Sequence, residues 1–481
     1  MSKEILINVV PQERRVAVVK DDRLEEFYIE RPQDKTIVGN IYKGRIEAVL
    51  PSIGAAFVDI GLPKKGFLYL SEIESVFEQA DTPLKSISPK EIKKGQEVLV
   101  QVVKEAFGTK GPRLSTHIGI AGRYLVLMPQ DNQIGVSRRI EDEKERRALR
   151  EAVREAKIPN EVGFIVRTAA SGRQKKELIR DAQFLFKLWR RLQGPIQKKS
   201  SPSLIYEEYD LTLRVIRDSF TDDVSKLIVD SKSEFHRIRR FMKTFLSYLT
   251  RKVELYRGDD LFDNKDIEKQ INKVFESRVY LKSKAYIIIE PTEGLVVIDV
   301  NSGGFRKKTS QEEMAFRVNC DSAVEIARQL MLRDLGGIIV IDFIDMNRER
   351  HRREVLKTLK GALVDDKAKY DILGISKFGL VEMTRERVHK TVQMLSDQPC
   401  PYCRGRGKIS SPTTIAISAL KELRRFLKSK PSKDVKLSLN PAVVEVLLKD
   451  KSNITGIERR FRTRVNLVSN PASKIEEIQI A

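Results

Sequence analysis

The sequence predicts a multidomain α+β protein that contains a small β-barrel. Three observations carry this. At 481 residues the chain exceeds what one hydrophobic core ordinarily organises. From Val38 to Ile118 five short runs, "NIYKGRIEAVL", "GAAFVDIG", "KGFLYL", "QEVLVQVVKE" and "PRLSTHI", are evenly punctuated by turn residues, the mark of a small barrel. Beyond residue 285 apolar strands alternate with long helical patterns, the rhythm of an α/β sheet.

Composition narrows the class further. With 41% hydrophobic and 32% charged residues the chain is globular rather than disordered. Its formal net charge of +22 calls for a polyanionic partner, nucleic acid first and an anionic membrane surface second. No apolar run reaches the roughly 20 residues of a spanning helix, and "MSKEILINVVPQERR" lacks the order of a signal peptide. Three cysteines, Cys320, Cys400 and Cys403, are too few for a disulfide framework, so a reducing cytoplasmic location is expected.

Taken in order, "ILINVV", "RRVAVVK" and "LEEFYIE" form a three-strand meander. In the barrel, alternation puts Ala56, Val58, Ile60, Leu68 and Leu70 on one face and Phe57, Phe67 and Tyr69 on the other. If the aliphatic face is the core, the rings face outward, where they would stack bases of single-stranded nucleic acid or cover a minor second core. Residues 142–157 read as a charged amphipathic helix and "EVGFIVRTAASG" as a strand and loop. "KKELIRDAQFLFKLWRRLQ" reads as a helix stopped by Gly194-Pro195. "PSLIYEEYDLTLRVIRDSF" has β character, and segments near residues 231–249 and 264–278 are helical and basic.

The later part reads as strands 285–290, 295–301 and 338–344, a helix over about 311–334 between the last two, a second helix, and a strand at 371–375. Ser310 to Glu313 offers a capping box for the long helix and Gly336-Gly337 a stop. A small α/β segment closes the chain from about Lys408, with no acidic or arginine-rich tail beyond it.

Two apolar strands, "LVVIDVN" and "IIVIDFIDM", are each interrupted by aspartate, which belongs there only if ligated, paired or exposed at a strand end. The intervening helix lets the strands return side by side, so Asp299 and Asp342 can converge at one sheet edge. Two carboxylates with water suit Mg2+, or Mn2+, with Asn301 orienting a carboxylate or water. Asp345, three residues on from Asp342, cannot share its direction in a regular strand. The alternative is a pair of ordinary strand-end aspartates bonded to backbone or arginine. "NSGGFRKKTS" matches neither glycine-rich phosphate motif, so Gly303-Gly304 reads as a turn. "NRERHRR" is either a solvated helix face or a holder of substrate phosphates.

"CPYCRGRG" supplies two thiolates on one turn, half of a structural Zn2+ site. Cys320 lies in a predicted helix and His389 eleven residues upstream, so two copies of the motif from two chains would complete four ligands. A redox pair and two reduced spectators remain the alternatives.

Together "NIYKGRIEAVLPSIGAAFVDIG…KGFL", "VRTA", "VVIDVNSG", "RDLGGIIVIDFIDM" and "CPYCRGRG" resemble the ribonuclease E/G family, in the family's order and over essentially the whole chain. The resemblance implies a magnesium-dependent endoribonuclease cutting single-stranded AU-rich RNA to 5′-phosphate and 3′-hydroxyl ends, in ribosomal and transfer RNA processing and message decay. It implies Asp299 and Asp342 as metal ligands with Asn301 orienting them and Asp345 secondary. Phe57, Phe67 and Lys110 of "FGTKG" would bind RNA, Arg167 and Thr168 would sense a 5′-monophosphate, and Cys400 and Cys403 would share zinc in a homodimer able to pair into a tetramer.

The implied fold is an OB-fold barrel (38–119) and a sensor domain (120–213) inserted into a ribonuclease H-like fold (1–37 and 214–279). A deoxyribonuclease I-like catalytic domain (280–398), a zinc-link (399–410) and a small C-terminal domain (411–481) follow. No scaffold tail of the kind found in part of the family is expected, so its partners are not carried over. Competing functions are a non-catalytic RNA-binding or RNA-chaperone protein, and a metal phosphoesterase acting on DNA or small phosphates.

Overall fold

The computed structural model describes residues 3–72, 92–106, 110–159, 161–245, 247–292, 294–304, 310–364, 366–376, 378–387, 398, 400–403 and 405–481, without the side chains of 244, 245 and 247. His389, Phe305 and the basic residues 306–308 lie outside the described residues, as does Arg404. Two compact units divide the chain, Met1–Leu395 and Ser396–Ala481.

The N-terminal meander, β1 (Lys3–Val10), β2 (Glu13–Lys20) and β3 (Arg23–Glu30), is completed by strands from far along the chain. β14 (Val224–Val229) pairs parallel to β1 and β15 (Val253–Leu255) parallel to β14. Apolar side chains cover both faces of this sheet. Ile5, Ile7, Val16 and Val18 meet helices α3 (Leu211–Ser219) and α4 (Lys232–Phe245). Leu6, Ala17, Leu24 and Phe27 meet α5 (Leu261–Asn264) and α6 (Ile267–Val274).

The stretch Pro202–Phe220 is expected to have β character. Only β13 (Ser203–Tyr206) is a strand, because Asp210 starts α3 by accepting the Leu213 N–H at 3.3 Å. Val215, Ile216 and Phe220 then fall on the buried side.

The barrel consists of β4 (Ile41–Leu50), β5 (Ala55–Asp59), β6 (Gly66–Tyr69), β7 (Glu97–Lys104) and β8 (Arg113–Ser115), closed by pairing of β4 with β7. β13 adds a strand at the edge of β4. Ala56, Val58, Ile60, Leu68 and Leu70 fill its core, as the alternation requires.

A third sheet has the order β11 (Ile134–Val136), β12 (Gly163–Val166), β10 (Leu125–Met128), β9 (Ile120–Ala121), and packs on α1 (Glu143–Arg154) and α2 (Lys175–Lys198). Contrary to expectation, α2 runs through Gly194 and Pro195. Pro195 lies near the helix end, where its ring costs one intrahelical bond, and buried Leu192 and Ile196 hold the last turn on the core.

The six-stranded sheet runs β16 (Arg278–Tyr280), β17 (Tyr286–Pro291), β18 (Leu295–Asn301), β19 (Gly337–Asp342), β21 (Leu380–Arg385), β20 (Tyr370–Ile375). One face, with Ile287, Ile289, Ile298, Val300, Ile339 and Ile341, is buried under α7 (Gln311–Leu332) and α8 (Glu349–Ala362). The other face is half-exposed or exposed. β16 and β21 are absent from the expected elements, the first for its three-residue length and the second for its interleaved charge.

The stop of α7 also differs: Asp334, at φ 48°, turns the chain, two residues before the glycines. β19 ends at Asp342, two residues earlier than expected. The backbone N–H and C=O of Ile344 are taken instead by the buried amide of Asn319, at 3.1 and 2.8 Å.

In the second unit, α9 (Pro412–Ser429), β22 (Asp434–Leu439), α10 (Pro441–Lys449), α11 (Ser452–Phe461), β23 (Arg464–Ser469) and β24 (Gln479–Ile480) build a three-stranded sheet in the order β23-β22-β24 around its own core.

Candidate active site and nucleic-acid interface

β18 and β19 run parallel, and their register sets Asp299 directly against Asp342 at the carboxyl ends of both strands. The intervening α7 crossover returns the chain beside itself, as the two matching sequence stretches require. Opposed residues share a face, so both carboxylates project from the open side of the sheet. Asn301, two residues on and on that same face, donates from Nδ2 to Asp299 Oδ2 at 2.5 Å. This orients the Asp299 carboxylate.

Among the described residues neither Asp299 nor Asp342 has an ion pair to Arg, Lys or His. Loss of water, then the charges of Asp299 and Asp345, push the Asp342 carboxyl above its usual range. Asp345 therefore does bear on Asp342: the strand has ended, so the alternation that separated them no longer applies.

Converging, unneutralised oxygen donors at an open sheet end fit a hard divalent cation that keeps water in its shell. Among the described residues no group of three or more His, Cys, Asp or Glu side chains is spaced to hold a metal. The fit is thus to an ion bound by two carboxylates and completed by solvent. Gly303, at φ +52°, makes the turn expected of it, since a Cβ there would lie 2.6 Å from the Lys284 carbonyl oxygen. "NRERHRR" is partly committed: Glu312 accepts the N–H groups of Asn347 and Arg348 and contacts His351 Nδ1 at 2.8 Å, while Arg353 pairs with Glu349.

On the barrel, Phe57 and Phe67 are register partners with rings edge to face at 6.0 Å, and Phe67 meets Tyr69 in the same way at 5.0 Å. The three rings form one half-exposed to exposed outer strip. Arg113 extends it, its guanidinium 4.9 Å from the Tyr69 ring centre. Lys110 is exposed at the neighbouring loop. Gly111 brings that loop against β6, with the Lys65 carbonyl oxygen 1.8 Å from where a Cβ would stand. Lys65 is held between Glu47 and Asp59 at 3.2 Å each, whereas Lys110 has no acidic partner among the described residues.

Arg167 follows β12. Its Nη1 donates to the Gly122 carbonyl at 2.8 Å and meets Asp218 at 2.7 Å. Burial opposes ionisation of Asp218, but Arg217 and Arg167 hold its carboxyl down at about 2. Thr168 is exposed, with its hydroxyl 3.1 Å from that of Ser137.

Cys400 and Cys403 sit on one turn of the second unit, which Tyr402 and Lys474 tie down: the Tyr402 hydroxyl accepts the Ile475 N–H at 3.0 Å and Lys474 Nζ donates to the Pro401 carbonyl at 3.1 Å. N–H groups of Cys403 and Tyr402 hold the Cys400 thiol below its usual range, which favours the thiolate a metal requires.

Comparison with known proteins brings these places together. The ribonuclease E/G family model matches residues 119–388, an S1 RNA binding domain matches 35–117, and an RNase E/G thioredoxin-like domain matches 399–481. The chain is 41% identical to ribonuclease G of Haemophilus influenzae, over 94% of this chain and 93% of that one. It is 40% identical to ribonuclease G of Escherichia coli, over 94% of each. It is 38% identical to ribonuclease E of Haemophilus influenzae, over 99% of this chain and 52% of that one.

The chain belongs to the ribonuclease E/G family. Within this family member the barrel falls in the S1 match and the aspartate pair in the family match. The cysteine turn opens the thioredoxin-like match, and the first helix after it, α9, begins at Pro412. No helix among the described residues is long and apolar enough to cross a membrane.

Two residues absent from the sequence-derived set shape the aspartate site. Asn319 pins Ile344 by both backbone groups, and Glu312 pins Asn347 and Arg348, so the loop carrying Asp345 is fixed at two points. Asn319 shares the buried face of α7 with Ser322, Glu325 and Gln329, so nothing in the sequence sets it apart from them.

Proposed function

We propose that this endoribonuclease cuts single-stranded, AU-rich RNA at a divalent-metal site formed by Asp299 and Asp342, leaving 5′-phosphate and 3′-hydroxyl ends. Membership of the ribonuclease E/G family sets aside the non-catalytic RNA-binding reading. The observation that carries the site is the Asp299–Asp342 register, with its two carboxylates uncompensated by any cation among the described residues. Magnesium, or manganese in its place, would supply there a Lewis acid and a more acidic bound water. Asn301 keeps the Asp299 carboxylate turned outward, and Asp345 adds negative potential beside Asp342.

The substrate strand is held by the barrel. Phe57 and Phe67 stack bases, at about 1–3 kcal/mol each, and Lys110, without an acidic partner among the described residues, meets the backbone. Arg167 and Thr168 favour a 5′-monophosphate: the guanidinium is fixed on one edge by Asp218 and Gly122, and the hydroxyl is exposed beside it. Two chains share Zn2+ through Cys400 and Cys403 in a homodimer able to pair into a tetramer. The sheet of β1–β3 with β14 and β15 corresponds to the ribonuclease H-like part, and the six-stranded sheet to the deoxyribonuclease I-like part. The enzyme serves ribosomal and transfer RNA processing and message decay in the cytoplasm.

The deciding experiment maps the ends released from matched 5′-monophosphorylated and 5′-hydroxyl RNAs, with magnesium and with EDTA. EDTA-sensitive cuts bearing 5′-phosphates, faster on the monophosphorylated RNA, support the proposal. Cutting that persists in EDTA, or 5′-hydroxyl products, refutes it.

A further inference from the structure

The open face of the six-stranded sheet carries more than the aspartates. In the β16–β17 pairing Tyr280 opposes Tyr286 and Arg278 opposes Ile288. In the β17–β18 pairing Tyr286 opposes Asn301 and Ile288 opposes Asp299. Directly opposed residues point the same way, so Arg278, Tyr280, Tyr286, Asn301, Asp299 and Asp342 occupy one continuous face. With strands about 4.8 Å apart, Tyr286 lies one strand from Asn301, and Arg278 two strands, about 10 Å, from Asp299.

These side chains make a shelf. The two tyrosine rings are 6.0 Å apart, and the Arg278 guanidinium lies 4.6 Å from the Tyr286 ring centre and 3.5 Å from the Tyr280 hydroxyl. Tyr280 is 67% exposed. Arg278 has no carboxylate partner among the described residues. A guanidinium held by rings instead of by an acid keeps its charge available for phosphate, and an exposed ring beside it offers a face to a base.

We propose that Arg278, Tyr280 and Tyr286 form a binding subsite for single-stranded RNA, which holds nucleotides flanking the phosphodiester cut at the aspartates. The position of the subsite relative to the cut rests on the assignment of Asp299 and Asp342. RNA is favoured over a second copy of the chain because the shelf presents a cation with no carboxylate partner among the described residues, continues the face of the aspartate pair, and belongs to a chain of net charge +22.

The test uses the full chain in EDTA, so that binding is read without cleavage. The probe is a single-stranded 5′-hydroxyl oligonucleotide carrying 4-thiouridine at successive positions around a known cut. Tyr280→Ala weakens binding about tenfold, a loss equal to about 1.4 kcal/mol and within the range for one stacked base, while Tyr280→Phe restores it. Arg278→Gln reduces the slope of log affinity against log salt by about 0.7, one phosphate contact on a single strand. Photocrosslinks to Tyr280 or Tyr286 come only from positions adjoining the cut.

Parental affinity and salt slope in both variants overturn the subsite. So does an altered native mass of the RNA-free variants with unchanged RNA affinity, which would make the face a contact between chains. Normal cutting by Asp342→Asn in magnesium overturns the aspartate assignment alone, since affinity and slope are read independently of cleavage.

Discussion

Asp342→Asn separates a metal ligand from a structural strand-end aspartate by the sign of its effect on stability. Among the described residues Asp342 accepts no hydrogen bond and pairs with no cation, yet it faces Asp299 across one strand spacing and feels Asp345. Unit charges about 5 Å apart repel by roughly 0.8 kcal/mol in water and about 3 kcal/mol at an effective dielectric near 20. Asp342 is exposed, so solvent screening keeps the cost near the lower figure, about 1 kcal/mol. Removing the charge should therefore stabilise the metal-free protein by about that amount.

Amide hydrogen exchange across β18 and β19 in EDTA would then slow about fivefold, while cleavage in magnesium falls by about two orders of magnitude or more. The pH dependence has a definite sign. A carboxyl raised above its ordinary value contributes stability only below that value, near pH 4, and loses it as pH rises through the folded value. The metal-free parent should accordingly lose protection above that range, and the Asn variant should not. Faster exchange in the variant, as after loss of a structural hydrogen bond, or near-parental cleavage, would refute the assignment.

Phe57→Ala or Phe67→Ala should weaken binding of a short U-rich RNA about tenfold by fluorescence anisotropy with unchanged circular dichroism, because both rings stand outside the barrel core. Arg167→Gln should erase the preference for 5′-monophosphate over 5′-hydroxyl RNA in paired cleavage assays while leaving cutting of the 5′-hydroxyl RNA unchanged. Asp218, held down at about 2, contributes stability above the ordinary aspartate value near 4. That contribution fades as pH falls toward 2, so the acid limb of unfolding should move upward in Arg167→Gln, which removes one of its two cations. Cys400→Ser with Cys403→Ser should release zinc and reduce the native mass to that of one chain; an unchanged oligomer and a zinc-free parent would remove the cysteine link.

Much of this was legible from periodicity because the relevant elements are simple. The barrel strands alternate cleanly, so the outer position of Phe57 and Phe67 followed from a period of two and the burial of Ala56, Val58 and Leu68. The convergence of Asp299 and Asp342 followed from two similar strands joined by a helix. Legibility failed where a distant partner overrides local pattern. Apolar residues from Leu211 suit either strand or helix, and the buried Asp210 cap, paired with Arg14 and Arg237, decides for helix. Pro195 ends a helix by local rule, but the core beneath Ile196 prolongs it. The shelf at Tyr280 was invisible because a three-residue strand gives no periodic signal, and its meaning comes only from the register with Asn301 two strands away.

Comparison with the molecule's other acids shows why the aspartate pair is singled out. Asp181, buried and raised by that burial, is answered by three backbone N–H groups, from Arg123, Tyr124 and Leu125, at 2.7–3.3 Å. Asp366 is held side-on by Nε and Nη2 of Arg385 at 2.7 and 3.0 Å, and Glu325 by Arg23, Arg328 and Gln329. Each is what a folded protein does with an acid it retains for structure: it supplies donors. Among the described residues Asp299 has only the amide of Asn301, itself on the same open face, and Asp342 has like charges for neighbours. Meanwhile Asn319 and Glu312 spend buried or capped polar groups on fixing the loop that keeps Asp345 close. Like charges are thus held together with few donors to answer them, an arrangement that protonation of Asp342 or a bound divalent cation would relieve.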